Sequence, residues 1–74
     1  MPDVVVRLWG RFADQLGQRE LRLKAKSLKE LRETLQKVLN SRNFSLAINE
    51  TITNEDVLLN GGEVVDVIPP VSGG

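Results

Sequence analysis

The apolar residues of this chain recur at two spacings, and the changes of spacing divide it into elements. "VVVRLWG", Val4 to Gly10, is rich in β-branched and aromatic residues and reads as a first strand. A period of two puts Val4, Val6 and Leu8 on one face and Val5, Arg7 and Trp9 on the other. "GRFADQLGQRE" carries two glycines among polar residues and is expected to be a turn region. "ELRLKA" alternates again, with Leu21, Leu23 and Ala25 inward and Glu20, Arg22 and Lys24 outward, as in a half-buried second strand.

The period then changes. Ser27-Leu28-Lys29-Glu30 has the capping-box pattern, in which serine and glutamate satisfy each other's orphan backbone donors. Leu28, Leu31, Leu35, Val38 and Leu39 follow at helical spacing as one apolar stripe, and Asn40 is the expected stop. "FSLAIN" reads as a third strand and "ETIT" as a short fourth. "NEDVLLNGG" is expected to form a tight turn or a single helical turn, with positive φ at Gly61 and Gly62. "EVVDVI" is the last strand, with Val65 and Val67 on one face. Pro69 and Pro70 end its ladder, because neither has an N–H to donate.

One amphipathic helix thus faces several half-buried strands in the order β-β-α-β-(β)-β. The expected class is α+β, in two layers. A helix following the first hairpin suggests a β-grasp arrangement, a mixed four- to five-stranded sheet packed on one main helix. Residues 1–68 form the expected domain, and residues 69–74 an extended tail.

Composition narrows the chemistry. A chain of 74 residues makes one domain with a thin core and no room for a deep enclosed pocket. Lys plus Arg and Asp plus Glu number 10 each, which argues against electrostatic capture of nucleic acid or of an anionic membrane. Without cysteine or histidine the chain lacks a thiol nucleophile, the commonest general base and the commonest transition-metal ligands. No metal or bound cofactor is expected, and no self-contained catalytic constellation appears. The opening "MPDVVVRLWG" places Asp3 and Arg7 in its only apolar stretch, unlike a signal peptide, and no run approaches the ~18 apolar residues of a membrane span. A soluble cytoplasmic protein is expected.

Most short motifs have an ordinary reading. Asn43-Phe44-Ser45 and Asn49-Glu50-Thr51 fit the glycosylation pattern, which means nothing without a secretory route. Glu55-Asp56 reads as solvated turn carboxylates, and "NGG" as turn chemistry. Trp9 keeps two readings, an exposed partner contact on the open sheet face or a ring folded over the sheet edge. With Arg7 and Ile68 near the tail base, it makes up the candidate contact surface.

"PPVSGG", Pro69 to Gly74, is different. A Gly-Gly end arises by chance in about 0.5% of chains at ordinary glycine frequency, and alone it would pass for a frayed end. A terminal carboxylate on Gly74 is ionised at neutral pH and can attack a phosphoryl group. Gly73 and Gly74 carry no side chain to block a narrow channel. Pro69 and Pro70 keep the base extended and lower the entropy lost on threading, with Val71 and Ser72 between.

On these residues the chain resembles the sulfur-carrier small subunit of molybdopterin synthase, the MoaD family of ubiquitin-like β-grasp proteins. The similarity spans essentially the whole chain. It is most specific at "PPVSGG" and extends through "AINETIT", "LNGGEV" and "VVVRLWGRFADQLG". Departures are Ala13-Asp14 where the family often has Arg-Glu, Gly61 where an acidic residue is common, and Val67-Ile68 where many members have aromatics. The resemblance implies that a partner related to ubiquitin-activating enzymes uses ATP to adenylate the Gly74 carboxylate. Sulfur then replaces AMP, and the thiocarboxylate delivers it to a pterin precursor in the large synthase subunit. Three other readings remain: a sulfur carrier for thiamin thiazole synthesis, a ubiquitin-like modifier joined through Gly74 to lysines, and a plain interaction module with an inert tail.

Overall fold

The computed structural model describes residues 2–53 and 55–70. Five strands form one mixed sheet: β1 (Asp3–Leu8), β2 (Glu20–Lys24), β3 (Ser45–Ile48), β4 (Thr51–Ile52) and β5 (Val64–Ile68), in the order β2-β1-β5-β3-β4. Two helices interrupt them, α1 (Arg11–Leu16) and α2 (Leu28–Leu39). β1 and β5 run parallel at the centre, in register from Val5↔Val64 to Leu8↔Val67, and every other pairing is antiparallel. This is the expected β-grasp, a mixed sheet packed on one main helix.

The alternation along β1 and β5 decides which face α2 covers. Val4, Val6, Leu8, Val65 and Val67 are buried and pack with Leu28, Leu31, Leu35 and Leu39 of α2. Leu21, Leu23 and Ile48 are partly buried against the same core, and Ala25 is fully buried. Val38 departs from the expected stripe and is 40% exposed. It lies at the flank of the helical face defined by Leu28, Leu31, Leu35 and Leu39, so the sheet does not reach it.

The ends of α2 are fixed as the sequence suggests, with one difference. Ser27 Oγ accepts from the Glu30 backbone N–H at 3.2 Å. Glu30 Oε1 reaches back to the N–H of Lys26 at 3.4 Å rather than to that of Ser27, so the box closes one residue early. Asp56 Oδ1 accepts from the Lys29 N–H at 2.9 Å, which gives this turn carboxylate a role at the helix N-terminus. Asn40 closes the helix in the left-handed conformation, φ 52 and ψ 44.

Two connections correct the sequence expectation. Residues 10–20 do not form a simple turn, because Arg11–Leu16 makes the short helix α1. Its Phe12 is 1% exposed and meets Phe44 edge-on, ring centroids 6.0 Å apart. Burial of that ring stabilises a helix too short to stand alone. Residues 55–63 contain neither a helical turn nor a strand, only an isolated bridge from Leu58 to Ser27. Leu59 anchors this loop in the core at 4% exposure, and Gly61 and Gly62 take the expected positive φ. Glu63 ties the end of the loop, accepting from the N–H groups of Asn60 and Gly61, each at 2.7 Å. Asn49 and Glu50 both have positive φ between β3 and β4, the backbone demanded by a two-residue hairpin.

Candidate contact face and tail base

The sheet face opposite α2 carries the candidate site. Parallel register puts Arg7 beside Asp66, and antiparallel pairing puts Ala47 on the other side of Asp66. Ile52 pairs with Ala47 on β4. Arg7, Trp9, Ala47, Glu50, Ile52, Asp66 and Ile68 line one shallow depression on this face. Trp9 is 50% exposed and Ile52 60% exposed, so the depression has an apolar rim. Its floor is charged.

Asp66 organises that floor. Its Oδ1 accepts from Arg7 Nε at 2.6 Å and from Trp9 Nε1 at 3.1 Å, and its Oδ2 accepts from Arg7 Nη2 at 2.9 Å. The Arg7 guanidinium also lies 5.7 Å from the Trp9 ring centroid, within cation–π range. Asp66 is only 6% exposed although it faces away from the helix. The bidentate bond from Arg7 holds its carboxyl below the usual carboxylate range, burial opposes this, and the Trp9 N–H adds to the lowering. The same bond pushes the Arg7 guanidinium further up. The structure decides where the Trp9 ring stands. The ring is not folded over the sheet edge but stands half-exposed on the open face, tethered at its indole nitrogen.

The face adjoins the base of the tail. Because Leu8 pairs in parallel with Val67, Trp9 comes to lie beside Ile68 and Gly10 beside Pro69. Gly10 turns β1 away from the sheet with φ 54 and ψ −131, and the Phe12 N–H closes the turn on the Trp9 carbonyl at 3.2 Å. That backbone is the first central position of a type II′ turn, which favours glycine. A Cβ built on Gly10 would also sit 3.2 Å from Cγ of Pro69, tighter than ordinary contact. β5 therefore runs straight on into Pro69 while β1 bends aside. Pro69 is partly buried and Pro70 exposed. The other predicted tail positions, Val71, Ser72, Gly73 and Gly74, lie outside the described residues.

The structure brings Arg7, Trp9 and Ile68 together, as expected, and adds two residues that the sequence reading missed. Asp66 interrupts an otherwise apolar strand, and its one-charge signal points to Arg7 only when the register is known. Gly10 looked like an ordinary turn glycine. Among the described residues no group of three or more His, Cys, Asp or Glu side chains is placed to hold a metal ion. No described helix is long and apolar enough to cross a membrane.

A β-grasp sheet whose central strand runs out beside an exposed contact face defines a ubiquitin-like protein. The chain belongs to the ThiS family, whose sequence model matches residues 6–74, and it is a ThiS/MoaD-type sulfur carrier. A search of curated protein sequences returns no significant match. Among solved structures, a chain from the complex of subunits 1 and 2 of molybdopterin-converting factor from Helicobacter pylori 26695 is 30% identical. Its TM-score is 0.73, and the alignment covers 97% of this chain and 99% of that one. The candidate molybdopterin converting factor subunit 1 of Pyrococcus furiosus is 23% identical over 96% of this chain and 100% of that one, with a TM-score of 0.80. The small archaeal modifier protein 1 of Methanosarcina acetivorans is 20% identical over 100% and 98% of the two chains, with a TM-score of 0.82. These last two likenesses speak for the fold.

Proposed function

We propose that this protein is the sulfur-donating small subunit of molybdopterin synthase, acting through a terminal carboxyl group on Gly74. The observation that carries this reading is the 30% identity, over 97% of the chain, to a chain of the Helicobacter pylori molybdopterin-converting factor complex. The Pro69–Gly74 sequence and the exposed face beside its base support it.

In this reading an adenylating enzyme of the ubiquitin-activating type docks on the face of Arg7, Trp9 and Ile68 and takes in residues 69–74. A carboxylate oxygen of Gly74 attacks the α-phosphorus of ATP, and pyrophosphate leaves. A sulfide-equivalent nucleophile then displaces AMP and leaves a thiocarboxylate. The large synthase subunit binds the same face, and sulfur passes from Gly74 to a pterin precursor. In this reading the ATP is used by the activating partner, and the cycle runs in the cytoplasm. This chain supplies a rigid domain, a docking face and a slender acyl end.

The test is ATP-dependent charging by the activating enzyme, read by mass. Gly74 deletion and a one-alanine extension after Gly74 should both fold and fail to charge. The extension moves the carboxylate by about 3.5 Å, far beyond the ~1 Å misplacement that can cost ~10²-fold. Equal charging of the untrimmed extension contradicts the reading. ThiS-family membership also accommodates a carrier for thiamin thiazole synthesis, and discharge of the thiocarboxylate by the pterin-binding large subunit separates the two. A modifier would instead be recovered in isopeptide linkage to lysines.

A further inference from the structure

We infer that Asp66 is the positioning residue of the docking face: it fixes Arg7 and Trp9 in the single arrangement that the large synthase subunit recognises. The inference deepens the proposed function and rests on its reading of the open face as the docking surface.

Three observations lead to it. Asp66 makes three hydrogen bonds, all to the two side chains that rise above it on the open face. It is 6% exposed on a face that the protein itself leaves uncovered, so Arg7 and Trp9 form much of its roof. A sheet needing only stability would be served as well by an apolar residue there, since burying a carboxylate is costly even when it is paired. What the carboxylate adds is geometric. A half-exposed tryptophan ordinarily samples several rotamers, and each must be given up on binding. Here the indole N–H is tied to Oδ1, and the arginine is tied bidentately to both oxygens. The anchor is thus held in one orientation before any partner arrives.

The arrangement also states the chemistry of the partner. Arg7 gives Nε and one Nη2 proton to Asp66, and its other N–H donors have no acceptor among the described residues. The Arg7 side chain is 38% exposed, so those donors can be reached from outside. Trp9, Ile52 and Ile68 flank them with apolar surface. Glu50 lines the same depression beside Arg7 and disfavours a second carboxylate there, so the matching surface presents a backbone carbonyl to Arg7, surrounded by apolar side chains. It is selected by the charged floor as well as by the apolar rim.

The test uses the full-length chain and, as probe, the large subunit of molybdopterin synthase from the same organism, purified separately. Affinity is measured for the parent chain, Trp9→Ala, Asp66→Ala and the Trp9→Ala/Asp66→Ala pair, with folding checked by denaturant unfolding. Asp66→Ala removes both acceptor oxygens and should weaken binding by about tenfold or more in the parent chain. It should have a smaller effect once Trp9 is alanine, the remainder coming from the release of Arg7. As the only tryptophan, Trp9 reports its own mobility: its fluorescence anisotropy should fall in free Asp66→Ala. A second variant avoids changing Asp66 at all. Benzothienylalanine at position 9, introduced by chemical synthesis, keeps the bicyclic shape and lacks the N–H donor. It should reproduce the loss of affinity. If Trp9→Ala itself binds normally, the face is not the docking surface and this inference falls with it. If Trp9→Ala weakens binding while Asp66→Ala and the benzothienyl chain bind as the parent does, the docking surface stands and the positioning role is overturned. Equal losses from Asp66→Ala with and without Trp9 would mean that Asp66 does not act through the tryptophan, which overturns its positioning of the anchor.

Discussion

The two faces of this sheet are built from the same three central strands and obey opposite rules. On the covered face Val4, Val6, Leu8, Val65 and Val67 meet the leucines of α2, and many small dispersion contacts add up. On the open face one carboxylate holds an arginine and a tryptophan by directional bonds. The first face supplies stability by area removed from water. The second supplies a fixed shape on a surface that stays in water. The comparison separates substitutions that unfold the protein from those that leave it folded and act only on the proposed docking.

The largest effects belong to the covered face. Phe12→Ala removes a fully buried ring and its edge contact with Phe44 and should cost about 3–5 kcal/mol. Leu35→Ala should cost about 2–5 kcal/mol, depending on how far α2 and the sheet collapse around the space. Denaturant unfolding measures both, and a loss below about 0.5 kcal/mol for Leu35→Ala would mean that the faces are assigned the wrong way round. Gly10→Ala comes next. Its positive φ suits glycine, and the added methyl presses on Pro69, so roughly 1–3 kcal/mol should be lost. Pairing it with Pro69→Ala should restore the part due to the contact and leave the part due to the turn.

The charged groups give a pH effect with a definite sign. Asp66 is held below the usual carboxylate range first by its bond from Arg7, and Glu63 by its bond from the Asn60 N–H. Both stay ionised in the folded chain at pH values where the unfolded chain already binds protons. Their contribution is complete above about pH 5, begins to fall near the unfolded values of about 4, and is lost as pH drops through the folded values. Thermal unfolding between pH 2 and pH 7 should show this decline, and it should be shallower in Asp66→Asn. An unchanged slope would mean that the pairing with Arg7 does not favour the folded state. The smallest effect is expected at Val38→Ala, within about 0.5 kcal/mol, because that side chain already stands at the edge of the helix face.

The covered face was readable from the sequence because its signals are local. Alternation in "VVVRL" and "ELRLK" and the leucine spacing after Ser27 each lie within one element. The unread parts depend on contacts between distant segments. α1 is six residues long, too short for periodicity to show, and forms because Phe12 finds Phe44 thirty-two positions later. Its sequence trace was present, with Phe12 and Leu16 four apart and Gly17 closing the helix in left-handed conformation. Asp66 could be seen as a charge in an apolar strand, but not as the partner of Arg7, fifty-nine positions away. Gly10 shared its letter with every turn glycine, and only the parallel register brings Pro69 against it. The tail was legible as chemistry alone, since its last four residues lie outside the described part of the fold.

The central claim is that this domain exists to carry sulfur on a terminal glycine. The most direct measurement is the intact mass of the protein isolated from its native cell under conditions that limit hydrolysis. A carrier should show a species heavier by about 16 Da, one oxygen of a Gly74 carboxyl replaced by sulfur, and fragmentation should place the gain on that residue. That species should vanish on treatment with the large synthase subunit and the pterin precursor. A single unmodified mass in cells actively making the cofactor, or recovery of the chain only as isopeptide conjugates, would contradict the account.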